Sequence, residues 1–223
     1  MPFLLLLPLR RLRVLLVLVG LAAGLTAILF VRCFALRDWW YALMLPWNLF
    51  LAFVPIPLTL WAERLALFYQ TPKLKLAAVV AAWALFFPNA PYLVTDVMHL
   101  HWVPPMPLWF DATLLFGFAL TGLLSGLVSL YWMHRLGRHF LGPKRADALL
   151  AAYLPVAAWG IFLGRELRWN TWDVLLRPHH LVWDALTRGT SLKALAMTVE
   201  FSVLIGFSYL AILALIHLNP RQD

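Results

Sequence analysis

Two short segments combine proline, amide, carboxylate and guanidinium groups at spacings that could do chemistry. Segment 87–96 reads FPNAPYLVTD, which places Asn89 between two prolines and ends on Asp96. Segment 164–173 reads GRELRWNTWD and contains Arg165 and Arg168. Guanidinium groups bind phosphate and carboxylate through pairs of N–H donors. The two segments therefore offer the groups that an anion site needs.

Pro88 and Pro91 must break the helix that contains them. A proline has no N–H to donate, and its ring clashes with the carbonyl four residues earlier. We predict a kink or an unwound turn near 84–87, where the freed carbonyls must face protein or water. Asn89 can cap this broken backbone, which is the structural interpretation, or it can contribute to a substrate or ion site. Both interpretations stay open.

A helix that continued through segment 164–173 would divide the polar residues of the segment between two faces. One face would carry Arg165, Arg168 and Trp172, and the other would carry Glu166, Asn170 and Asp173. The arginine face could hold an anionic group beside indole rings. The structural alternative is that the two arginines neutralise carboxylates and hold helices together, the candidates being Glu200, Asp111 and Asp96.

His99 and His101 follow the first segment and have the ligand types that suit zinc or another divalent metal. Their spacing matches no helical metal motif, and ordinary histidines at a membrane interface would give the same pattern. These two histidines are the candidates for a metal site, but no metal or other cofactor is predicted.

The composition of the chain indicates the elements that must position these residues. Hydrophobic residues make up 63% of the 223 residues and charged residues only 13%, against roughly 25% charged in an ordinary soluble domain. A single membrane domain over 1–223 is the simplest explanation. The formal charge of +8 suits cytoplasmic loops and anionic lipid head groups rather than nucleic acid.

The apolar runs predict an all-α transmembrane bundle of about six helices. The predicted spans are 14–31, 41–61, 74–95, 109–133, 148–163 and 195–217. Segment 164–194 then forms a loop on the outer face, with a short interfacial helix near 178–188. Small residues at Gly122 and Gly126 favour close packing of the fourth helix against a neighbour.

The distribution of basic residues predicts the orientation of the bundle. With the N-terminus inside, the cytoplasmic segments hold eleven lysines and arginines and the opposite side holds seven. The positive-inside rule therefore places both termini in the cytoplasm. Five of the seven outer cations fall in the one outer loop, and they are Arg165, Arg168, Arg177, Arg188 and Lys193. We expect them to pair with acidic groups or to hold an anion.

On this topology, four polar residues fall in the outer third of the membrane or at its outer surface: Asn48, Asn89, Asp111 and Glu200. Amide and ionisable groups are unfavourable at that depth, so they usually face each other or a wet cavity. We predict that they share one polar pocket that opens to the outer face.

The two segments also carry a family resemblance. The residues FPNAPY at 87–92 with Asp96, His99 and Asp111, and the later GR-x-x-RWNTWD at 164–173, resemble a bacterial family of small multi-pass membrane proteins that is catalogued only as a domain of unknown function. The pattern usually has serine at residue 171, and Thr171 retains the hydroxyl. The resemblance implies a location in the bacterial inner membrane and lends no reaction.

Three hypotheses for function remain. The first is a membrane protein that binds or carries an anionic or lipid-linked molecule, with membrane lipids as its surroundings. Its candidate ligand-binding residues are Asn48, Asn89, Tyr92, Arg165, Arg168, Trp169, Asn170, Trp172 and Asp173. The second is an interfacial enzyme acting on a lipid, with Asp96, Asp111 or Glu200 as general base. The third is a structural subunit whose polar cluster only locks helices together. We rank binding first.

Overall fold

The computed structural model of the protein describes residues 8–68, 73–101 and 104–217. Secondary structure within these ranges is helical throughout, and none of it is strand. Six helical stretches in these ranges are long and apolar enough to cross a membrane. The prediction of an all-α bundle with six helical stretches that can span a membrane is therefore confirmed.

Two of the six spans contain more than one helix. The first is α1 (Leu9–Leu36), and the second joins α2 (Trp40–Phe53) to α3 (Pro55–Phe68). The third joins α4 (Lys73–Phe86), α5 (Asn89–Tyr92) and a 3-10 helix (Leu93–His99). The fourth is α6 (Leu108–Leu141) and the fifth is α7 (Pro143–Glu166). Two short helices follow, α8 (Asp173–Leu176) and α9 (Pro178–Thr187), before α10 (Leu192–His217) forms the sixth.

Helix α6 is the centre of the bundle, because α1, α2, α3, α5, α7 and α10 all pack on it. Its glycines allow the closest of these approaches. A Cβ atom added at Gly126 would lie 2.7 Å from the Cβ of Ala90, and one added at Gly122 would lie 2.9 Å from the Ala90 carbonyl oxygen. Since real Cβ atoms need more room, α5 fits only against glycine. The predicted packing role of the two glycines is confirmed.

The third span breaks where its prolines predict. Helix α4 ends at Phe86, and Pro88 has no N–H to donate to the carbonyl of Ala84. The hydroxyl of Tyr153 on α7 donates to that carbonyl instead, at 2.7 Å. The side-chain amide of Asn89 donates to the carbonyl of Phe86 at 2.8 Å. The capping interpretation of Asn89 is therefore confirmed.

The break changes the neighbours of the third span. Before it, α4 packs mainly on α3, and after it, α5 packs on α6, α2 and α7. The chain therefore steps towards the centre of the bundle at Pro88. Space opens in front of α5, with α2 on one side and α7 on the other.

Ion pairs mark the two ends of the bundle. Lys193 near the start of α10 pairs with Glu166 at the end of α7, and we call this the cavity end. At the opposite end, Arg11 near the start of α1 pairs with Glu63 of α3. Helices α1 and α6 extend beyond the predicted spans 14–31 and 109–133, because both continue as helix into basic segments at that opposite end. Helix α1 also continues to Leu36 at the cavity end.

Candidate functional site

A cavity of about 750 Å³ lies at the cavity end of the bundle, within the range of roughly 300–1,000 Å³ that is typical of ligand pockets. Helix α2 forms one side and α7 the other. The end of α4 and helix α5 form the back, and residues 168–172 cover it. The walls are largely aromatic and aliphatic, and their polar side chains include Asn48, Asn89, Tyr92, Arg165, Arg168, Asn170 and Thr171.

The segment that covers the cavity is a turn and not a continuation of α7. Helix α7 ends at Glu166, and Arg168 adopts a left-handed conformation with φ of 59°. The backbone N–H of Trp169 then donates to the carbonyl of Leu163 at 3.1 Å. The helical face of Arg165, Arg168 and Trp172 that a continuous helix would have formed is therefore absent, because the chain reverses at Arg168.

Asp173 closes this turn. Its carboxylate oxygen Oδ2 accepts a hydrogen bond from the backbone N–H of Asn170 at 2.8 Å, and its side chain is buried. An aspartate that accepts from a nearby backbone N–H stabilises a turn locally. Asp173 does not line this cavity, but it lines a smaller pocket of about 300 Å³ together with Arg168 and Asn170, and in the structure its side chain positions the turn.

Each of the three nitrogen atoms of the Arg165 guanidinium contacts a neighbouring residue. It forms an ion pair with Asp96, donates from Nε to the hydroxyl of Thr95 at 2.6 Å, and lies 3.1 Å from Nε2 of His99 through Nη1. The guanidinium carbon also lies 4.3 Å from the centroid of the Tyr92 ring. All four partners belong to the third span, so Arg165 fastens α7 to it.

Asp96 is buried and fully engaged. Its Oδ1 faces Arg165, and its Oδ2 accepts from the side-chain amide of Asn48 at 3.0 Å. Its side chain is only 1% exposed. Asn48, Asp96 and Arg165 therefore join α2, the third span and α7 at one point. Of the three carboxylates predicted to neutralise the arginines, Asp96 is the one that contacts Arg165.

Arg168 differs from Arg165 in having no partner. It is exposed, it lines the cavity, and no hydrogen bond or ion pair joins it to any residue in the described ranges. No aspartate or glutamate within those ranges lines the cavity. The charge of Arg165 is balanced by Asp96, so Arg168 is the arginine of the cavity lining that has no ion-pair partner among the described residues. Asp173 lines a smaller pocket with Arg168 but forms no ion pair with it.

Asn89 connects the back of the cavity to its cover. Besides the carbonyl of Phe86, its amide nitrogen donates to the hydroxyl of Thr171 at 3.0 Å. None of the described residues donates a hydrogen bond to its amide oxygen. The hydroxyl of Tyr92 likewise forms no hydrogen bond within the described part of the chain, although the ring lines the cavity. Both atoms are therefore available to a ligand.

The tryptophans hold the cover in place. The ring of Trp172 lies 6.4 Å from the ring of Trp47 on α2, measured between centroids. The indole nitrogen of Trp169 donates to Asp184 of α9 at 3.1 Å, and that of Trp159 donates to the carbonyl of Gly189 at 2.9 Å. Helix α9 occupies the stretch where the sequence predicts a short helix, and these bonds attach it to α7 and the turn.

Asp111 lies in a separate cluster, away from the cavity. Its two carboxylate oxygens accept from Nε and Nη2 of Arg32 at 2.7 and 2.8 Å. Nη1 of Arg32 donates to Asp38 at 3.0 Å, and the guanidinium carbon lies 4.6 Å from the centroid of the Tyr41 ring. Arg32 was not predicted from the sequence as a partner of Asp111. The available signal was its position directly after a long apolar run.

Glu200 does not reach the cavity either. It is exposed on α10, a helix that packs on α7 and α6 without lining the cavity. The predicted pocket of Asn48, Asn89, Asp111 and Glu200 is therefore wrong in part, because only the two asparagines line it. Depth along a helix follows from the sequence, but the direction in which a side chain points depends on packing.

The two candidate metal ligands have protein partners. His99 faces Arg165, and Nδ1 of His101 lies 3.0 Å from the hydroxyl of Tyr41 and 2.7 Å from the carbonyl oxygen of His99. The described ranges contain no group of three or more histidine, cysteine, aspartate and glutamate residues that could hold a metal ion.

The fold and the site thus define an all-helical membrane protein with a cavity beside a proline break. A model of the family described as "Protein of unknown function (DUF1361)" matches residues 47–212, which is most of the chain, and the chain belongs to that family. The matched range includes Asn48, Asn89, Arg165 and Arg168 and excludes Arg32. No curated protein and no solved structure matches the chain.

Proposed function

We propose that the protein binds an anionic group, such as a phosphate or a carboxylate, in the cavity at Arg168, as a membrane binding protein or carrier. The observation that carries the proposal is the unpaired guanidinium of Arg168 in a cavity whose described lining contains no carboxylate. An anion at this position would balance the charge and form charge-assisted hydrogen bonds, which are about twice as strong as neutral ones.

The backbone of Arg168 supports the proposal. A left-handed conformation is unfavourable by roughly 1–2 kcal/mol for residues with a Cβ atom, whereas glycine adopts it freely. The chain nevertheless has arginine here, with its side chain on the cavity. Strained backbone is found where the surrounding structure enforces it, often at ligand sites.

The neighbouring polar atoms supply further hydrogen bonds. The hydroxyl of Tyr92 can donate to an anion, and the amide oxygen of Asn89 can accept from a hydroxyl on the same ligand. Both residues lie on the back wall, and Arg168 lies on the cover. A ligand head group between them would therefore be held from two sides.

Binding is favoured over acid–base catalysis because the candidate bases are already engaged or lie elsewhere. Asp96 is paired with Arg165, and Asp111 is paired with Arg32. Glu200 lies on α10, outside the cavity lining. A general base must reach the proton that it abstracts, and none of these three carboxylates lines the space where a ligand would lie.

The proposal places the cavity on the extracytoplasmic side of the bacterial inner membrane. Among the described residues, the end of the bundle opposite the cavity carries the larger share of the lysines and arginines, ten against seven. Basic loops are retained in the cytoplasm during insertion. The cover would then lie at the outer surface of the membrane, where a ligand from that side reaches Arg168.

The test uses purified protein in dodecyl maltoside and two probes that share one anionic head group. The first probe is dioleoyl phosphatidylglycerol, and the second is glycerophosphoglycerol, which is the same head group without acyl chains. Calorimetric titration and native mass spectrometry measure the binding of each. Arg168→Gln is expected to weaken the binding of at least one probe by roughly tenfold or more, because a hydrogen bond to a charged group contributes about 1.5–3 kcal/mol.

Arg188→Gln is the matched control. Arg188 is an exposed arginine at the end of α9 that does not line the cavity, and its ion pair with Asp184, at 3.9 Å, is solvent-exposed and contributes little to stability. The control removes the same charge from the same loop and should bind both probes as the wild type does. The proposal is wrong if neither probe binds, or if Arg168→Gln binds both as strongly as the control does.

A further inference from the structure

We infer that the ligand is a membrane amphiphile whose alkyl chain enters the cavity sideways from the bilayer, between α2 and α7. This inference rests on the proposed anion site, which would hold the head group of the amphiphile. It adds the chemical class of the ligand and its route of entry.

The edges of the cavity consist of exposed apolar side chains on three different spans. Trp47 of α2 is 51% exposed, Leu85 of α4 is 44% exposed and Val156 of α7 is 59% exposed, and all three line the cavity. They lie within helices that are long and apolar enough to cross the membrane. We therefore infer that the cavity opens onto hydrocarbon at this side.

The opening exists because α5 packs closely on α6 and α7 and lies behind the space between α2 and α7. Helix α5 packs against the glycines of α6, as described above, and the break itself packs against those of α7. A Cβ atom added at Gly160 would lie 3.2 Å from Cγ of Pro88, and one added at Gly164 would lie 3.4 Å from Cε2 of Tyr92. The third span therefore forms the back wall of the cavity and does not fill the space between α2 and α7.

Helices α2 and α7 have few means of closing the gap themselves. No hydrogen bond, ion pair or ring contact joins them directly within the described residues. They are connected through the third span, by Asp96 between Asn48 and Arg165, and through the cover, by the ring contact of Trp47 with Trp172. Both connections lie at the polar end of the cavity, which leaves the apolar part beside the bilayer open.

The chemistry of the walls changes along the direction of the helices. Arg168, Asn170 and Thr171 lie on the cover at the cavity end. Leu51 lies about three helical turns further along α2 than Trp40, and Leu85 lies on α4 below the proline break. A lipid in the adjacent leaflet has the same order, with its charged group at the surface and its chains below. A small water-soluble anion would contact only the polar end and would leave the apolar part of the cavity without a ligand contact.

The experiment narrows the opening without touching the anion site. Val156→Trp adds bulk at one edge, and Leu85→Trp adds it at another edge on a different helix. The control is Val203→Trp on α10, since Val203 is also an exposed valine on a spanning helix, at 51%, and does not line the cavity. Circular dichroism and size-exclusion chromatography identify variants that fold. Dioleoyl phosphatidylglycerol, dioleoyl phosphatidylcholine and glycerophosphoglycerol are the probes.

We expect the wild type to retain phosphatidylglycerol in native mass spectra at least fivefold more than phosphatidylcholine. At least one folded edge variant should lose fivefold or more of the bound phosphatidylglycerol, whereas Val203→Trp should lose none. The inference is overturned if every folded edge variant binds phosphatidylglycerol as Val203→Trp does. It is also overturned if glycerophosphoglycerol binds in an Arg168-dependent manner and phosphatidylglycerol does not. In that last case the anion site stands and only the lipid class is wrong.

Discussion

Arg32 and Arg165 lie at the cavity end of the bundle and have similar partners, but only Arg165 lines the cavity. Arg32 and Arg165 each pair with a buried aspartate, and each lies over a tyrosine ring, at 4.6 and 4.3 Å from the centroid. Arg32 meets two carboxylates, Asp111 and Asp38. Arg165 meets one, and its remaining donors contact neutral groups.

The neighbours of the two pairs decide what each region can do. The Arg32 cluster holds two carboxylates around one guanidinium and does not line the cavity. The Arg165 pair lies at the cavity, with Arg168 unpaired beside it. The guanidinium groups of Arg32 and Arg165 are paired with carboxylates and join helices. The guanidinium of Arg168 has no such partner in the described ranges and can bind a ligand. The anion-binding property therefore belongs to Arg168 and not to the buried pairs.

The largest expected effect is the loss of Arg32. Arg32→Met leaves Asp111 and Asp38 without their cation, and breaking a buried ion pair from one side is unfavourable by about 3–5 kcal/mol. We expect a correspondingly large fall in the free energy of unfolding, measured by denaturant titration in detergent. Arg188→Met, at an exposed site, is the control. Equal stability of the two variants would show that the Arg32 cluster does not hold the helices together.

The second effect should be somewhat smaller and partly reversible. Arg165→Met leaves Asp96 buried, but Asn48 still donates to it at 3.0 Å. We expect destabilisation by about 3 kcal/mol. The double variant Arg165→Met with Asp96→Asn removes the orphaned charge and should recover a large part of this loss. No recovery in the double variant would contradict the assignment of Asp96 as the partner of Arg165.

Local backbone chemistry made part of this site predictable. Pro88 and Pro91 dictate the end of α4, and Asn89 lies close enough in sequence to cap the break, so neither feature depends on distant packing. Gly122 and Gly126 likewise predict a close approach of a neighbouring helix, because they have no side chain. The number of spans could be predicted from the six apolar runs, because every helix that crosses the hydrocarbon needs a long and mostly apolar segment.

The choice of partners could not be predicted in the same way. Asp96, Asp111 and Glu200 all lie at depths that suit Arg165, but their directions around the helix axes are set by packing. The reversal of the chain direction at Arg168 could not be predicted either. A left-handed residue is usually announced by glycine, and the sequence has arginine there. The sequence therefore left a helical continuation to Trp172 open as one arrangement of this segment, because that signal is missing.

The smallest expected effect separates stability from binding at two matched positions. Arg168 and Arg37 are the non-glycine residues with positive φ in the described ranges, at 59° and 53°, and Arg37 follows the last residue of α1. Glycine at either position relieves an unfavourable backbone conformation. We expect Arg37→Gly and Arg168→Gly each to raise the free energy of unfolding by about 1 kcal/mol, measured as an upward shift of the denaturant midpoint.

Binding should distinguish these two variants although stability does not. Arg37 does not line the cavity, so Arg37→Gly should bind dioleoyl phosphatidylglycerol as the wild type does. Arg168→Gly should lose that binding while becoming more stable, because the side chain that strains the turn is the one that would hold the anion. If Arg168→Gly were stabilised and still bound the lipid, the strain at this residue would have no connection with the ligand. The cation in the cavity would then be incidental to binding.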